Sequence, residues 1–187
     1  KGSVTSRSLT LTAMGEEKAD LVLKNSNLVN VNSGEIMENT DVAIKGDRIA
    51  LIGDADHTIG EDTKIIECDN YYLSPGLIDV HTHIEASMVS PTQFARAVLP
   101  KGNTAVLWDP VWTGNVLGKE GLKTFLDEGN STPLKLYANA STGVPPAPTN
   151  LVTPGEEFSV EDLEEILSWD KIVGLGELVK LNKVLDG

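Results

Sequence analysis

The later part of the sequence alternates strand-like and helix-like segments, and this alternation most constrains the fold. Apolar runs of strand length are separated by amphipathic stretches with helix start and stop signals. The candidate strands are GLIDVHTH (76–83), TAVLWD (104–109), LKLYANAS (134–141) and KIVGLGEL (171–178), and the helices between them are SPTQFARAVLPKG (90–102), NVLGKEGLKTFLDEGN (115–130) and SVEDLEEILSWD (159–170). Strands that recur at roughly 30-residue intervals are typical of βαβ units. The pattern predicts an α/β fold with a parallel sheet over residues 73–187.

The residues before this region follow a different pattern. The runs ADLVLKNSNLVNV, DVAIKGDRIALIG and TKIIECD are short, rich in Val, Ile and Leu, and separated by Gly, Asn and Asp. Gly46 and Asp47 are typical residues of a hairpin turn. We expect residues 20–72 to form a small antiparallel β unit, and residues 1–19 to be a polar lead-in, either a short helix or a disordered arm.

The charge and the cysteine content exclude several classes of function. The chain has 28 acidic and 15 basic residues, a formal net charge of −13. Binding to nucleic acid depends on clustered Lys and Arg, so we expect no nucleic acid and no anionic membrane as a partner. No apolar run approaches the roughly 20 residues of a membrane span, and the opening residues do not resemble a signal peptide. The single cysteine, Cys68, is interpreted as structural and fits a cytoplasmic location.

Two histidines, His81 and His83, stand one residue apart at the end of the first candidate strand. Residues i and i+2 of a strand point to the same face, so both imidazoles can reach one centre. In a parallel barrel the carboxyl ends of the strands form the catalytic face. The pair can therefore be ligands of a divalent metal, or strand-end histidines with ordinary hydrogen bonds. The third histidine, His57, is interpreted as a surface residue.

Three carboxylates lie where they could complete such a centre. Asp109 and Glu177 end the second and fourth candidate strands, and Glu85 follows His83 by two residues. Each also has an ordinary interpretation, since Asp109 precedes a proline in a typical turn and the two glutamates can be solvated loop residues. From position alone, Glu85, Asp109 and Glu177 are all open candidates to join His81 and His83 in one site.

The run PGLIDVHTHIEASMVSPTQFARAVLPKGNTAVLWDP resembles the amidohydrolase superfamily and, within it, the adenine deaminases. LYANASTGVPPAPTN is similar to that family's proline-rich segment after the third strand, and GLGEL is similar to its fourth strand. An HxH pair alone has little specificity, but these segments in this order are specific. The resemblance covers residues 20–187.

The resemblance implies a metal-dependent (β/α)8 TIM barrel with a small β-sandwich whose first strands precede the barrel. Residues 73–187 would be the first half of the barrel, about four βα units, and residues 20–72 a portion of the sandwich. The family's later strands supply two more histidines and an aspartate, so the rest of the barrel would come from the same or another chain. A longer polypeptide is the favoured explanation; a half that pairs with a second chain and a truncated relative are the alternatives.

The resemblance also implies the chemistry. His81 and His83 would bind one of two divalent metals (Mn, Fe or Zn), and Glu177 would bridge the two. The reaction would be hydrolytic deamination of adenine to hypoxanthine and ammonia, with Glu85 and the 141–150 loop near the substrate. On this basis Glu85 and Asp109 are the candidate catalytic residues, and His81, His83 and Glu177 are the candidate metal ligands. The family further implies a homo-oligomeric enzyme.

Two departures from the family pattern concern the substrate. Val111 and Trp112 stand where the family usually has His-Glu, and Ala86 stands where Ser is common. An apolar residue in place of a polar one can change substrate choice or weaken catalysis. The alternatives are therefore an amidohydrolase that acts on another cyclic amide or amino-heterocycle, and a non-catalytic relative with a binding or structural role.

Overall fold

Every strand-like segment of the sequence forms a strand in the computed structural model, which describes residues 4–179. The chain divides between Pro75 and Gly76 into two compact units. The first unit contains helix α1 (Ser6–Met14) and strands β1 (Leu21–Asn30), β2 (Glu35–Lys45), β3 (Arg48–Gly53), β4 (Lys64–Glu67) and β5 (Tyr72–Leu73).

The first unit is built on one five-stranded sheet in the order β3-β2-β1-β4, with β5 also pairing with β1. The β2–β3 hairpin closes at the predicted Gly46-Asp47 turn, where Lys45 pairs with Arg48. The prediction of a wholly antiparallel unit is wrong, since β4 and β5 run parallel to β1. The ten residues between β3 and β4 allow this, because they carry the chain across to the other side of β1.

The second unit contains strands β6 (Leu77–Thr82), β7 (Asn103–Trp108), β8 (Lys135–Ala140) and β9 (Ile172–Leu175), and helices α2 (Pro91–Val98), α3 (Val111–Asn130) and α4 (Val160–Leu167). All its strand pairs are parallel, in the order β6-β7-β8-β9. One helix lies between each strand and the next, so the predicted alternation of β and α is confirmed.

The core of the second unit lies between the sheet and its helices. Trp108 of β7 is fully buried and stacks on Phe125 of α3, with ring centroids 5.0 Å apart. The other fully buried hydrophobic residues of this cluster are Ile84, Val106, Leu122, Ala138, Ala140 and Ile166. The tight packing of a large indole behind the carboxyl end of β7 fixes the backbone from which the candidate site is built.

Helix α3 begins four residues earlier than the sequence predicted, at Val111 instead of Asn115. The reason is tertiary: the carboxylate of Glu85 accepts the first-turn N–H groups of Trp112 and Thr113, at 3.1 and 3.3 Å. These groups have no partner inside the helix, so an acceptor from elsewhere in the chain lets the helix start directly after β7. Among residues 4–179, no helix has the length and apolar character needed to cross a membrane.

Candidate metal centre

His81 and His83 leave the carboxyl end of β6 side by side. His81 belongs to the strand, and His83 follows it at the start of a short 3-10 turn (Ile84–Ser87). Their ring centroids are 5.0 Å apart and the rings are nearly perpendicular, at 87°. The strand geometry thus brings the two imidazoles to one side of the sheet.

Glu177 reaches this pair from the strand at the opposite edge of the same sheet. It follows the end of β9, and its Oε1 lies 3.1 Å from Nε2 of His81. Neighbouring strands are about 4.8 Å apart, so in a flat sheet β6 and β9 would be separated by about 14 Å. Side chains that stand perpendicular to a flat sheet could not meet across that span. The sheet therefore curves as a barrel wall does, with the three side chains at its carboxyl-end rim.

The three side chains form a set of donors that fits a divalent metal. One ligand atom of each of His81, His83 and Glu177 lies within 4.8 Å of the other two. Ligands that hold zinc tetrahedrally at roughly 2.0–2.1 Å are about 3.3 Å apart, close to the 3.1 Å between His81 and Glu177. Imidazole and carboxylate donors suit Zn, Mn and Fe alike. The side chains of His81 and Glu177 are 41% and 49% exposed, so solvent or a further ligand can reach them.

Asp109 lies behind the three side chains, directly after β7, and is fully buried. Its backbone carbonyl lies 2.7 Å from Nδ1 of His83. A carbonyl oxygen only accepts, so Nδ1 carries the hydrogen of this bond. In the neutral ring Nε2 then keeps its lone pair and is the atom available to a metal.

The side chain of Asp109 contacts the backbone of the third candidate ligand, Glu177. Its Oδ2 accepts the backbone N–H of Glu177 at 2.9 Å. Gly176 makes this approach possible, because a Cβ at that residue would lie 2.4 Å from Oδ2. The sequence shows that Gly176 keeps bulky side chains away from Glu177, but the atom it makes room for, Oδ2 of Asp109, is identified only when β7 and β9 are brought together.

Glu85 contacts the chain around β7. Its Oε2 accepts the indole N–H of Trp108 at 2.5 Å, and its Oε1 accepts the N–H groups at the start of α3. The carboxylate therefore joins the 3-10 turn after β6 to β7 and α3. A catalytic role for Glu85 and Asp109 stays a prediction, and these contacts describe what both carboxylates hold in place.

The loop after β8 also touches the rim. The hydroxyl of Thr142 donates to the backbone carbonyl of Glu177, and Ser141 is fully buried. The sequence placed residues 141–150 near a substrate but did not single out Thr142. A hydroxyl residue after a strand has many possible partners, so no local signal identifies this contact.

A second group of carboxylates, in the first unit, has a different character. Asp41, Asp54 and Asp56 lie close together, but Lys24 donates to both Asp41 and Asp56 at 2.7 Å. Hydrogen bonds from Lys24 to these carboxylates raise the pKa of the Lys24 ammonium well above its usual range. Burial opposes ionisation of Asp41, yet Lys24 and the N–H groups of Asn25 and Ala55 hold its pKa below the ordinary value. Lys24 thus supplies a positive charge that partly balances the negative charge of these carboxylates.

Comparison with known proteins agrees with this geometry. Residues 72–178 match the amidohydrolase family, and the chain belongs to this family of hydrolytic enzymes. It is 44% identical over 181 residues to an adenine deaminase of Moorella thermoacetica, covering 97% of this chain and 30% of that protein. It is 46% identical over 168 residues to adenine deaminase 3 of Rhizobium meliloti, covering 89% of this chain and 28% of that protein. The predicted resemblance is confirmed, and the chain spans about 30% of the length of these relatives.

Solved structures support the fold. Atrazine chlorohydrolase TrzN from Arthrobacter aurescens, in complex with zinc, superposes with a TM-score of 0.54 at 15% identity, covering 82% of this chain and 39% of that one. Molinate hydrolase superposes with a TM-score of 0.51 at 19% identity, covering 66% of this chain and 30% of that one. The predicted fold class, an α/β unit that forms part of an amidohydrolase barrel, is confirmed.

Proposed function

We propose that the whole protein is a metal-dependent hydrolase that deaminates adenine to hypoxanthine and ammonia. The observation that carries this proposal is the convergence of His81, His83 and Glu177 at the carboxyl-end rim of a curved parallel sheet. The identity of 42–46% with adenine deaminases supports the choice of substrate.

In this proposal His81, His83 and Glu177 hold the metal, and two metals per site are expected if Glu177 bridges them. A bound divalent metal would supply Lewis acidity, which lowers the pKa of water and stabilises the charge that develops on the purine. His83 presents Nε2 because Nδ1 donates to the carbonyl of Asp109. The Glu177 carboxylate adds a negative charge that partly neutralises a dication. The remaining ligands and a proton-transfer group would come from barrel strands beyond those described.

Glu85 and Asp109 complete the proposed set of functional carboxylates. Asp109 is fully buried, and the oxygens of Glu85 accept hydrogen bonds from Trp108 and the start of α3. These contacts favour a role for both carboxylates in positioning the chain around the site over direct contact with a substrate.

The test is ammonia release from adenine by the longest natural polypeptide that contains this sequence. The protein is stripped of metal and reloaded with Mn²⁺, Fe²⁺ or Zn²⁺, and bound metal is measured alongside turnover. We expect turnover to follow metal content and to be lost in His83→Gln, while Lys123→Gln, a surface change on α3, keeps it. Full metal loading without ammonia release would reject adenine as the substrate.

A second candidate substrate class rests on Val111 and Trp112. Trp112 is about half exposed at the start of α3, where the adenine deaminase pattern has a polar pair. This favours another amino-heterocycle or a cyclic amide as the substrate of the same centre. A substrate screen on the metal-loaded protein distinguishes the two, and absence of any bound metal would instead favour a non-catalytic relative.

Location and assembly belong to the same proposal. A cytoplasmic location is proposed because the sequence has a single cysteine, Cys68, and disulfides are rare in the reducing cytoplasm. The whole protein is also proposed to self-associate, as the resemblance implies, and light scattering on the same polypeptide tests this.

A further inference from the structure

We propose that Asp109 is a positioning residue that couples the two sides of the metal centre, the histidine pair on β6 and the glutamate after β9. The inference rests on the proposed function in one respect, namely that His81, His83 and Glu177 bind a metal. It adds a residue that acts on two of these ligands without being one.

The first connection is to His83. The Asp109 carbonyl accepts from Nδ1 at 2.7 Å, which selects the tautomer with a free Nε2 and limits rotation of the ring. Metal-binding histidines commonly donate their second ring N–H to such an acceptor. The backbone of Asp109 is itself held, because its N–H donates to the carbonyl of Thr82 at 2.9 Å.

The second connection is to Glu177. The carboxylate of Asp109 accepts the Glu177 N–H at 2.9 Å and lies against Gly176. This contact fixes the backbone just beyond the end of β9, from which the Glu177 side chain extends toward His81. One residue therefore sets the direction of a ligand on each side of the site.

The second carboxylate oxygen of Asp109, Oδ1, indicates that a carboxylate at this position lowers the stability of the fold. Oδ1 of Asp109 is buried and has no hydrogen-bond partner among the described residues. A buried, unsatisfied polar atom is unfavourable, so a residue selected only for packing would be replaced by an apolar one at little loss. A carboxylate at this position is expected when its acceptor oxygen has a function.

The experiment measures metal affinity, by competition with a chromophoric chelator, in the longest natural polypeptide that contains this sequence. Asp109→Ala removes the acceptor of the Glu177 N–H, and Asp109→Asn keeps an oxygen in its place. We expect Asp109→Ala to bind Zn²⁺ about 10- to 100-fold more weakly and Asp109→Asn to recover most of the affinity. Asp41→Ala is the matched control, since Asp41 is also buried and accepts backbone N–H groups, but in the other unit.

Asp41→Ala is expected to lower the unfolding midpoint and to leave the metal affinity unchanged. Wild-type affinity in Asp109→Ala, or equal losses in Asp109→Ala and Asp109→Asn, would overturn the proposal. If Asp109→Ala does not fold, nitrogen chemical shifts of His83 in the metal-free wild type decide, because a proton on Nε2 instead of Nδ1 also overturns it. These readouts do not require adenine turnover, so a wrong substrate and a wrong role for Asp109 give different results.

Discussion

At the scale of single residues, Glu85 shows how one carboxylate joins three elements. It lies in the turn after β6 and accepts hydrogen bonds from Trp108 of β7 and from Trp112 and Thr113 of α3. Both oxygens accept hydrogen bonds, Oε2 from the Trp108 indole and Oε1 from the two helix N–H groups. Any replacement that turns an acceptor into a donor leaves one of these N–H groups unpaired.

We predict that Glu85→Gln lowers the free energy of unfolding by about 1–3 kcal/mol, the usual cost of an unsatisfied buried group. The amide NH₂ would face either the indole N–H or the helix N–H groups. Urea unfolding followed by tryptophan fluorescence measures the change. Glu120→Gln on the exposed face of α3 is the matched control and is expected to change stability by less than about 0.5 kcal/mol. Equal stability of both variants would contradict the interpretation.

The sequence predicted some of these residues and not others for a physical reason. His81 and His83 were recognisable because the two-residue period of a strand places both on one face. The contacts of Glu85 and Gly176 depend on which strands lie next to each other and on how strongly the sheet curves. Neither property is encoded in local spacing, so these contacts become visible only in the assembled sheet.

At the scale of elements, α2 and α3 begin where side chains from other elements accept hydrogen bonds from their first N–H groups. Ser90 occupies the N-cap position of α2, but its side chain does not cap the helix, and the acceptor of the Thr92 N–H is Glu128 of α3. Hydrogen bonds from Ser90 and then Thr92 hold the pKa of Glu128 below its ordinary value. By contrast, α4 has a capping box formed by two of its own residues, Ser159 and Asp162. A cap formed by neighbouring residues is predictable from sequence, whereas one formed across a helix pair is not.

Asp162 gives the acid stability of this region a defined origin. Lys119 of α3 donates to it at 2.6 Å, and this bond together with the Ser159 N–H lowers the pKa of Asp162 to about 2. The unfolded value is about 3.9, so the stabilisation is complete above about pH 4 and is lost as the pH falls toward 2.

We predict that Asp162→Asn flattens the pH dependence of the thermal unfolding midpoint between about pH 4 and pH 2. The measurement compares the wild type with Asp162→Asn across that range. Lys119→Met is the matched control, since removing the partner in both backgrounds should abolish most of the difference. Parallel curves for wild type and Asp162→Asn would contradict the role of the ion pair.

At the scale of the whole molecule, the second unit ends at strands that expose apolar side chains. β6 and β9 form the two edges of its four-stranded sheet over the described residues. Ile78 and Val80 on β6, and Val173 and Leu175 on β9, are all more than half exposed. Open edges with apolar side chains favour pairing with other strands.

We predict that residues 1–187 produced alone self-associate at micromolar concentration and do not turn over adenine. Light scattering gives the mass, and Val80→Lys on the open edge should raise the monomeric fraction. Val116→Lys on the exposed surface of α3 is the matched control and should leave the mass unchanged. A monodisperse monomer of the unsubstituted chain would show that the edges are protected in another way.

The contact between His81 and Glu177 joins the first and last strands of this sheet, and the large sequence separation of the two residues has a consequence for folding. Three βα units separate these two proposed ligands along the chain. Contacts this distant in sequence form late, because the chain between the two residues must become ordered before the contact can stabilise the fold. Metal capture is therefore expected to follow the docking of β9. A spectroscopic metal ion such as Co²⁺ would then report the final step of assembly rather than the first.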